Sequence, residues 1–216
     1  MYCSGGGAGG SIWITCEDIV GRGTIEANGG NGGGPAGAAG GGGAGGRISV
    51  QCTNIAKFNI TMHAYGGVSN SETGGAGTAY LDSKFNNGTL AYQKMTIDNN
   101  GHAYPRSSNY AEGNLRSLLN GEYGDISYAG GVTWLFHEAL QYRFKELDVR
   151  GNAHVAILSD TDNEVIDVRV DFLWGDRSGV LHAGKNQTFG LTEVDTYLPV
   201  NLASYRCVLM WSKFLQ

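Results

Sequence analysis

A short stretch of this chain repeats itself, and the repeat restricts the fold more than any other feature. Gly7-Ala8-Gly9-Gly10-Ser11-Ile12-Trp13-Ile14 recurs as Gly43-Ala44-Gly45-Gly46-Arg47-Ile48-Ser49-Val50, an offset of 36, and Cys16 falls on Cys52 at the same offset. A third copy, Gly75-Ala76-Gly77-Thr78-Ala79-Tyr80-Leu81, follows at an offset of 32. Self-similarity at such a period marks units that stack, because one unit alone cannot bury its apolar face. Each of the first two glycine blocks runs into an alternating segment. Ile12, Ile14 and Cys16 share one face, Trp13 and Thr15 the other, and Ile48, Val50 and Cys52 take the matching places. A period of two is the signature of a strand with one buried face. Stacking then sets Ile12 against Ile48 and Ile14 against Val50. Each unit is expected to hold a second strand, Thr24-Ile25-Glu26-Ala27 in the first and 58–64 in the second, and Gly-Gly follows both (Gly29-Gly30, Gly66-Gly67). The predicted fold is all-β, a parallel β-solenoid (β-helix).

Glycine makes up 36 of the 216 residues, and 24 of them fall within 1–80. Twelve of the eighteen residues 29–46 are glycine, with a strict three-residue period at 34, 37, 40, 43 and 46. Three residues per turn is the polyproline II repeat. Two readings follow. One is a flexible loop, favoured by the backbone entropy of glycine. The other is a set of extended, polyproline/polyglycine II-like helices packed side by side. Tracts 5–10, 29–46 and 66–77 would then form a second layer beside the solenoid, with backbone groups bonded between neighbouring tracts.

Gly-Gly-Ser-Ile-Trp-Ile-Thr-Cys at 9–16, then Gly21-Arg22-Gly23-Thr24-Ile25-Glu26-Ala27-Asn28-Gly29-Gly30, then Gly45-Gly46-Arg47-Ile48 and Gly77-Thr78-Ala79-Tyr80, resemble the glycine-rich repeats of large plant and protist surface proteins. Those repeats are similar in pattern to parallel β-helices. The resemblance covers residues 5–82. It implies an extracellular structural or adhesive role and carries over no activity.

Three regions are expected: glycine-rich solenoid repeats at 1–82, loop-rich coils at 83–133, and further β coils at 134–216. The middle region is polar and turn-rich, with Asp98-Asn99-Asn100-Gly101 and room for a short helix near 111–119. Strict alternation from Tyr142, then 154–158, 165–172 and 179–182, separated by turn signals, reads as successive short strands, and 189–210 adds further strand material. They are expected to continue the solenoid, with a β-sandwich in the C-terminal half as the alternative. Neither end carries a polar cap of the kind repeat arrays need, so the chain is expected to continue beyond one or both ends.

Composition excludes several classes. Net charge is −5 with no basic run, so a nucleic-acid footprint is absent. No apolar run reaches the length of a membrane-spanning helix. No CxxC pair supports a zinc or redox motif. His137-Glu138 lacks the second histidine of a metalloprotease helix, and 159–164 lacks the glycine and the terminal glutamate of a calcium loop. Asp167, Arg169 and Asp171 share a strand face that reads as exposed ion pairs. No GxSxG nucleophile elbow occurs. No catalytic, cofactor or metal residue is therefore assigned. The in-register Cys16 and Cys52 are expected to form a disulfide, their rung spacing falling inside the bridging range. With the even cysteine count, the sequons at Asn59, Asn87 and Asn186 tilt the chain toward a secreted or surface protein and are candidate glycosylation sites. Trp13 and Tyr80 are candidate sugar-stacking residues. The expected function is that of an extracellular structural protein, a rigid rod or filament that is not catalytic and associates with itself or with neighbouring segments. The alternatives are a carbohydrate-binding or adhesive module and, behind it, a polysaccharide-degrading β-helix enzyme.

Overall fold

Alternating apolar residues and β-branched segments become strands throughout, and no helix occurs among the described residues of this computed structural model, which are 3–36, 38–85, 92–102, 131–136, 141–158, 166–182, 187–194 and 208–211. The strands are β1 (Ser11–Glu26), β2 (Arg47–His63), β3 (Thr78–Phe85), β4 (Tyr92–Asp98), β5 (Val132–Phe136), β6 (Gln141–Arg150), β7 (His154–Leu158), β8 (Ile166–Gly175), β9 (Val180–His182), β10 (Gln187–Val194) and β11 (Val208–Trp211). An eight-stranded sheet runs β1-β2-β3-β4-β6-β8-β10-β11, and β5-β7-β9 form a second sheet. Every neighbouring pair is parallel except β3 and β4.

The two repeat strands fold back on themselves. A 16-residue strand would span roughly 50 Å if straight. Yet the Gly46 amide donates to the Ala27 carbonyl (2.7 Å), just past the end of β1, and the next amide, Arg47, donates to Gly10 (2.9 Å), just before its start. The two ends of β1 therefore meet. The turn falls near a β-bulge, where the pairing shifts between Asp18↔Asn54 and Val20↔Lys57 and Gly21 follows with φ +130°. Asn54 serves this turn twice, donating to Asp18 Oδ1 (2.8 Å) and accepting from the Ala56 amide (3.0 Å). The two strands expected in each unit are thus the two arms of one bent strand. A first core fills the space between the arms: Ile48, Val50 and Cys52 of one arm with Ile55, Phe58 and Met62 of the other, layered on Ile12, Ile14, Cys16, Ile19 and Ile25. Ile12 lies opposite Ile48 and Ile14 opposite Val50, in parallel, as the repeat predicts.

The third copy pairs at an offset of 31, not 32: Ile48↔Ala79 and Val50↔Leu81. The glycine blocks alone suggest 32, but that register would turn Tyr80 and Asp82 into the core, and a one-residue slip flips every side chain.

Beyond each bent strand the chain enters the glycine tracts. These bond to one another through the backbone at every third residue. Gly40, Gly43 and Gly46 donate to Gly33, Gly30 and Ala27; Gly42 and Gly45 donate to Glu72 and Gly75; Gly6 and Gly9 donate to Gly41 and Ala44. The 40–46 tract thus serves these three neighbours with three sets of groups, and its Gly43 carbonyl also accepts from the Gly67 amide (2.8 Å). The period read from 34 to 46 operates only from Gly40 onward, because Gly34 (φ +126°) enters a turn closed by the Ala38 amide on the Pro35 carbonyl (3.0 Å). Side chains have no room between tracts. A methyl group on Gly43 would collide with the Gly7 carbonyl, and one on Gly74 with that of Gly43.

The β3–β4 pair changes the course of the chain. Residues directly opposite in a ladder project to the same side. Tyr80↔Met95↔Leu147 therefore puts the second core on the face that carries Trp13 and Tyr80, opposite the first core. From β4 to β10 the chain alternates between the two sheets, adding a parallel strand to each at successive visits, and β11 then extends the large sheet beside β10. The second core packs Ile97, Leu147, Val149, Val168, Val170 and Leu173 of the large sheet against Val155, Ile157 and Leu181 of the small one. Its corners stack as well: the Gly101 amide donates to Gly151 O (3.0 Å), Gly151 N to Asp176 Oδ2 (3.0 Å), and Asn152 N to Ser178 Oγ (2.8 Å). The all-β expectation holds, and the strands expected from 141, 154 and 165 are β6, β7 and β8. An uninterrupted parallel winding does not hold, because the antiparallel β3–β4 pair moves the core across the sheet. The helix considered near 111–119 lies outside the described residues.

Candidate functional site

Alternation along β1, β2 and β3 sends every second side chain to the face opposite the first core. Strand pairing then assembles those side chains into two rows, Trp13-Ser49-Tyr80 and Thr15-Gln51-Asp82. Strands sit ~4.8 Å apart, so Trp13 and Tyr80 stand ~10 Å from each other with Ser49 between them. Trp13 is 74% exposed, and its Nε1–H donates to Thr15 Oγ1 (3.0 Å), which steadies the ring along the strand. Gln51 donates to Ser49 Oγ (3.4 Å) and Tyr80 to Asp82 Oδ2 (3.4 Å). Burial, and then the Asp82 carboxylate, push the Tyr80 phenol above its ordinary value, so it stays a neutral donor. Two aromatic rings flanking hydroxyl, amide and carboxylate groups form a platform that can stack the C–H face of a sugar ring while bonding its hydroxyls. Both sequence-predicted stacking residues, Trp13 and Tyr80, are therefore brought to one face. Ser49, Gln51 and Asp82 complete the platform; the strand alternation points to all three, but the correct offset of 31 was needed to place Asp82.

The outer side of the second arms carries another group. Glu26 pairs with His63 (3.4 Å), His63 stacks on Tyr65 (ring centroids 4.7 Å), and Tyr65 meets His102 edge-on (6.4 Å). The Gly66 carbonyl can only accept, so His102 donates to it through Nδ1–H (2.8 Å). Burial, then the Asp98 and Glu26 charges, raise the Tyr65 phenol. His63 lies in the strand expected at 58–64, and Tyr65 two residues on was the available signal for this group. Asn59, the one sequon asparagine among the described residues, is exposed on this arm opposite Arg22 and sterically open to a glycan. Asn87 and Asn186 lie outside the described residues.

Asp148 is a third polar centre, unread in the sequence. It is 1% exposed, held by Lys94 Nζ (2.8 Å) and Arg150 Nε–H (2.8 Å). Its hydrogen bond holds the Arg150 guanidinium above its ordinary value, against the pull of burial. Burial, followed by the Glu146 and Asp148 charges, pushes the Tyr92 phenol up to about 12. An anion compensated by two cations forms a structural clamp between β4 and β6.

Cys16 and Cys52 form the expected disulfide, with Cα atoms 4.5 Å apart. Cys3 is exposed and free. Cys207, the His137-Glu138 pair and residues 159–164 lie outside the described residues. Asp167 pairs with Arg143 (2.7 Å) and Arg169 (3.6 Å), the exposed ion-pair face expected of that strand. Among the described residues no three metal-ligating side chains converge, and no helix is long and apolar enough to cross a membrane. Comparison with family models, curated proteins and solved structures finds no match.

Proposed function

We propose that this chain is an extracellular structural protein, a non-catalytic component of a rigid rod, filament or surface assembly. In this reading each half winds as a solenoid, and the shared eight-stranded sheet joins the two windings into one stack. The glycine tracts act as polyglycine II-like struts. The observation that carries the proposal is the backbone ladder between tracts, in register with the strands beside it. It occupies donors and acceptors of successive units without side chains, which makes a stiff body and leaves the outer faces free. The disulfide between the first two units and the exposed Asn59 sequon support an oxidising compartment. The resemblance of residues 5–82 to glycine-rich surface repeats agrees with that location. Immunogold electron microscopy of intact, unpermeabilised cells tests it. Label along extended structures outside the cell is expected; label only after permeabilisation would overturn the reading.

The Trp13-Ser49-Tyr80 row favours a second reading, a carbohydrate-binding or adhesive module. Binding on a glycan array that disappears with Trp13→Ala would establish it.

A further inference from the structure

Three independent features coincide where the large sheet begins, at β1. The first is apolar. Ile12, Ile14, Cys16 and Ile19 are left partly exposed, whereas their equivalents one unit on, Ile48, Val50, Cys52 and Ile55, are at most 6% exposed. The second is polar. Each tract receives hydrogen bonds from the tract before it: Gly6 and Gly9 donate to the Gly41 and Ala44 carbonyls, and Gly42 and Gly45 to those of Glu72 and Gly75. The carbonyls equivalent to Gly41 and Ala44 in the first tract are those of Gly5 and Ala8, and they accept nothing among the described residues. The third is steric. A Cβ on Gly43 or Gly46 strikes the Gly7 or Gly10 carbonyl, and one on Gly74 or Gly77 strikes that of Gly43 or Gly46, yet a Cβ on Gly7 or Gly10 meets nothing within 4 Å. No contact within the described chain requires those two residues to be glycine.

We infer that this end is a docking surface for one further unit of the same chemistry: a glycine-rich extended tract leading into a strand of alternating apolar residues. The tract lies on Gly7 and Gly10 and donates to the Gly5 and Ala8 carbonyls, and the strand pairs with the open edge of β1 and covers Ile12 and Ile14. The chemistry of the occupant follows from continuity, since the chain itself fills the equivalent surface twice, at 40–46 and at 72–77. The far end of the glycine layer in a second copy cannot supply the unit. There Gly75 is covered by Gly131, and Thr133 Oγ1 donates to the Ala76 carbonyl (2.6 Å).

The inference rests on the unit-stacking part of the proposed function, and its test is separate. A fluorescent peptide of residues 40–56 carrying Cys52→Ser is titrated into the full chain and followed by anisotropy, with a scrambled peptide as control. Saturable binding of the ordered sequence alone is expected. Gly7→Leu with Gly10→Leu should weaken it about tenfold or more, since bulky side chains would fill the docking surface, and leave the melting temperature of the free protein unchanged. Absence of saturable binding, or equal binding by the double variant, would overturn the inference. A lowered melting temperature of the variant would do so too, because it would mean that the space is already filled. None of these outcomes alters where immunogold label falls, so surface location and unit docking fail separately.

Discussion

The region up to β3 and the region from β4 onward share one sheet and cover it by different means. In the first, β1 and β2 bend and bury their apolar faces between their two arms, and the chain returns through glycine tracts tied together by backbone hydrogen bonds. Neighbouring strands are 36 and 31 residues apart in sequence. In the second, a separate sheet supplies the opposing apolar face, and most neighbouring strands are only 20 to 26 residues apart. Glycine lets backbones approach until peptide groups bond directly, so order comes from hydrogen bonds between main chains. The second core lies between two hydrogen-bonded sheets that face each other through side chains, and it depends on their shape match. One region is therefore intolerant of added atoms, the other of removed ones.

That contrast can be broken at several points. Leu147→Ala should have the largest effect, about 2–5 kcal/mol, because it leaves a cavity among fully buried neighbours. Chemical denaturation should show the loss, and hydrogen exchange should assign it to β4–β9 while the glycine tracts stay protected. Equal loss of protection in both regions would mean that they unfold as one unit. The double variant Cys16→Ser with Cys52→Ser comes next. With the cysteines 36 residues apart in sequence, loop entropy predicts a loss of about 3–4 kcal/mol, matched by reduction of the native protein and confined to β1 and β2. Gly43→Ala should cost up to about 3 kcal/mol from a single added methyl group, and Gly7→Ala, at the equivalent place with open space, close to nothing. Similar melting temperatures for these two variants would refute the strut picture.

The smallest effect concerns acid. Burial works against the Asp176 carboxylate, but the Ser178 hydroxyl (2.6 Å) and the Gly151 and Ser178 amides (each 3.0 Å) outweigh it and hold the group below its ordinary value. A depressed carboxylate contributes stability above its unfolded pKa and loses it as the pH falls through the folded one, so the corner between β6 and β8 should weaken below about pH 4. Asp176→Asn should flatten that part of the stability profile, and an unchanged profile would assign acid sensitivity elsewhere.

Much of the first region was legible. Ile12, Ile14 and Cys16 repeat as Ile48, Val50 and Cys52, and such a pattern admits one stacking register, which also brings the two cysteines within bonding reach. The platform was half legible: Trp13 and Tyr80 stand on outward positions, but their common row depends on the 31-residue offset. The bend in β1 was not legible as a bend, because a bulge at Asp18 and Val20 has no distinctive residue pattern, and its two arms read as separate strands. The segment at 92–98 carries Met95 and Ile97 in alternation, yet nothing in that alternation says whether it pairs parallel or antiparallel to β3.

Local pattern alone determined the apolar side of β1, β2 and the strands from Tyr142 onward, and the recurrence of the glycine tracts in step with β1 and β2, since these depend on periodicity within a few residues, whereas β4 lies in the region that reads as loop-rich coils. The tertiary structure decided the direction of the β3–β4 pairing, and with it the face on which the second core lies. It also selected the order of the glycine tracts over the flexible loop that the same composition allows. Both depend on contacts between segments tens of residues apart, where the free energy of a close-packed neighbour, rather than local preference, makes the choice.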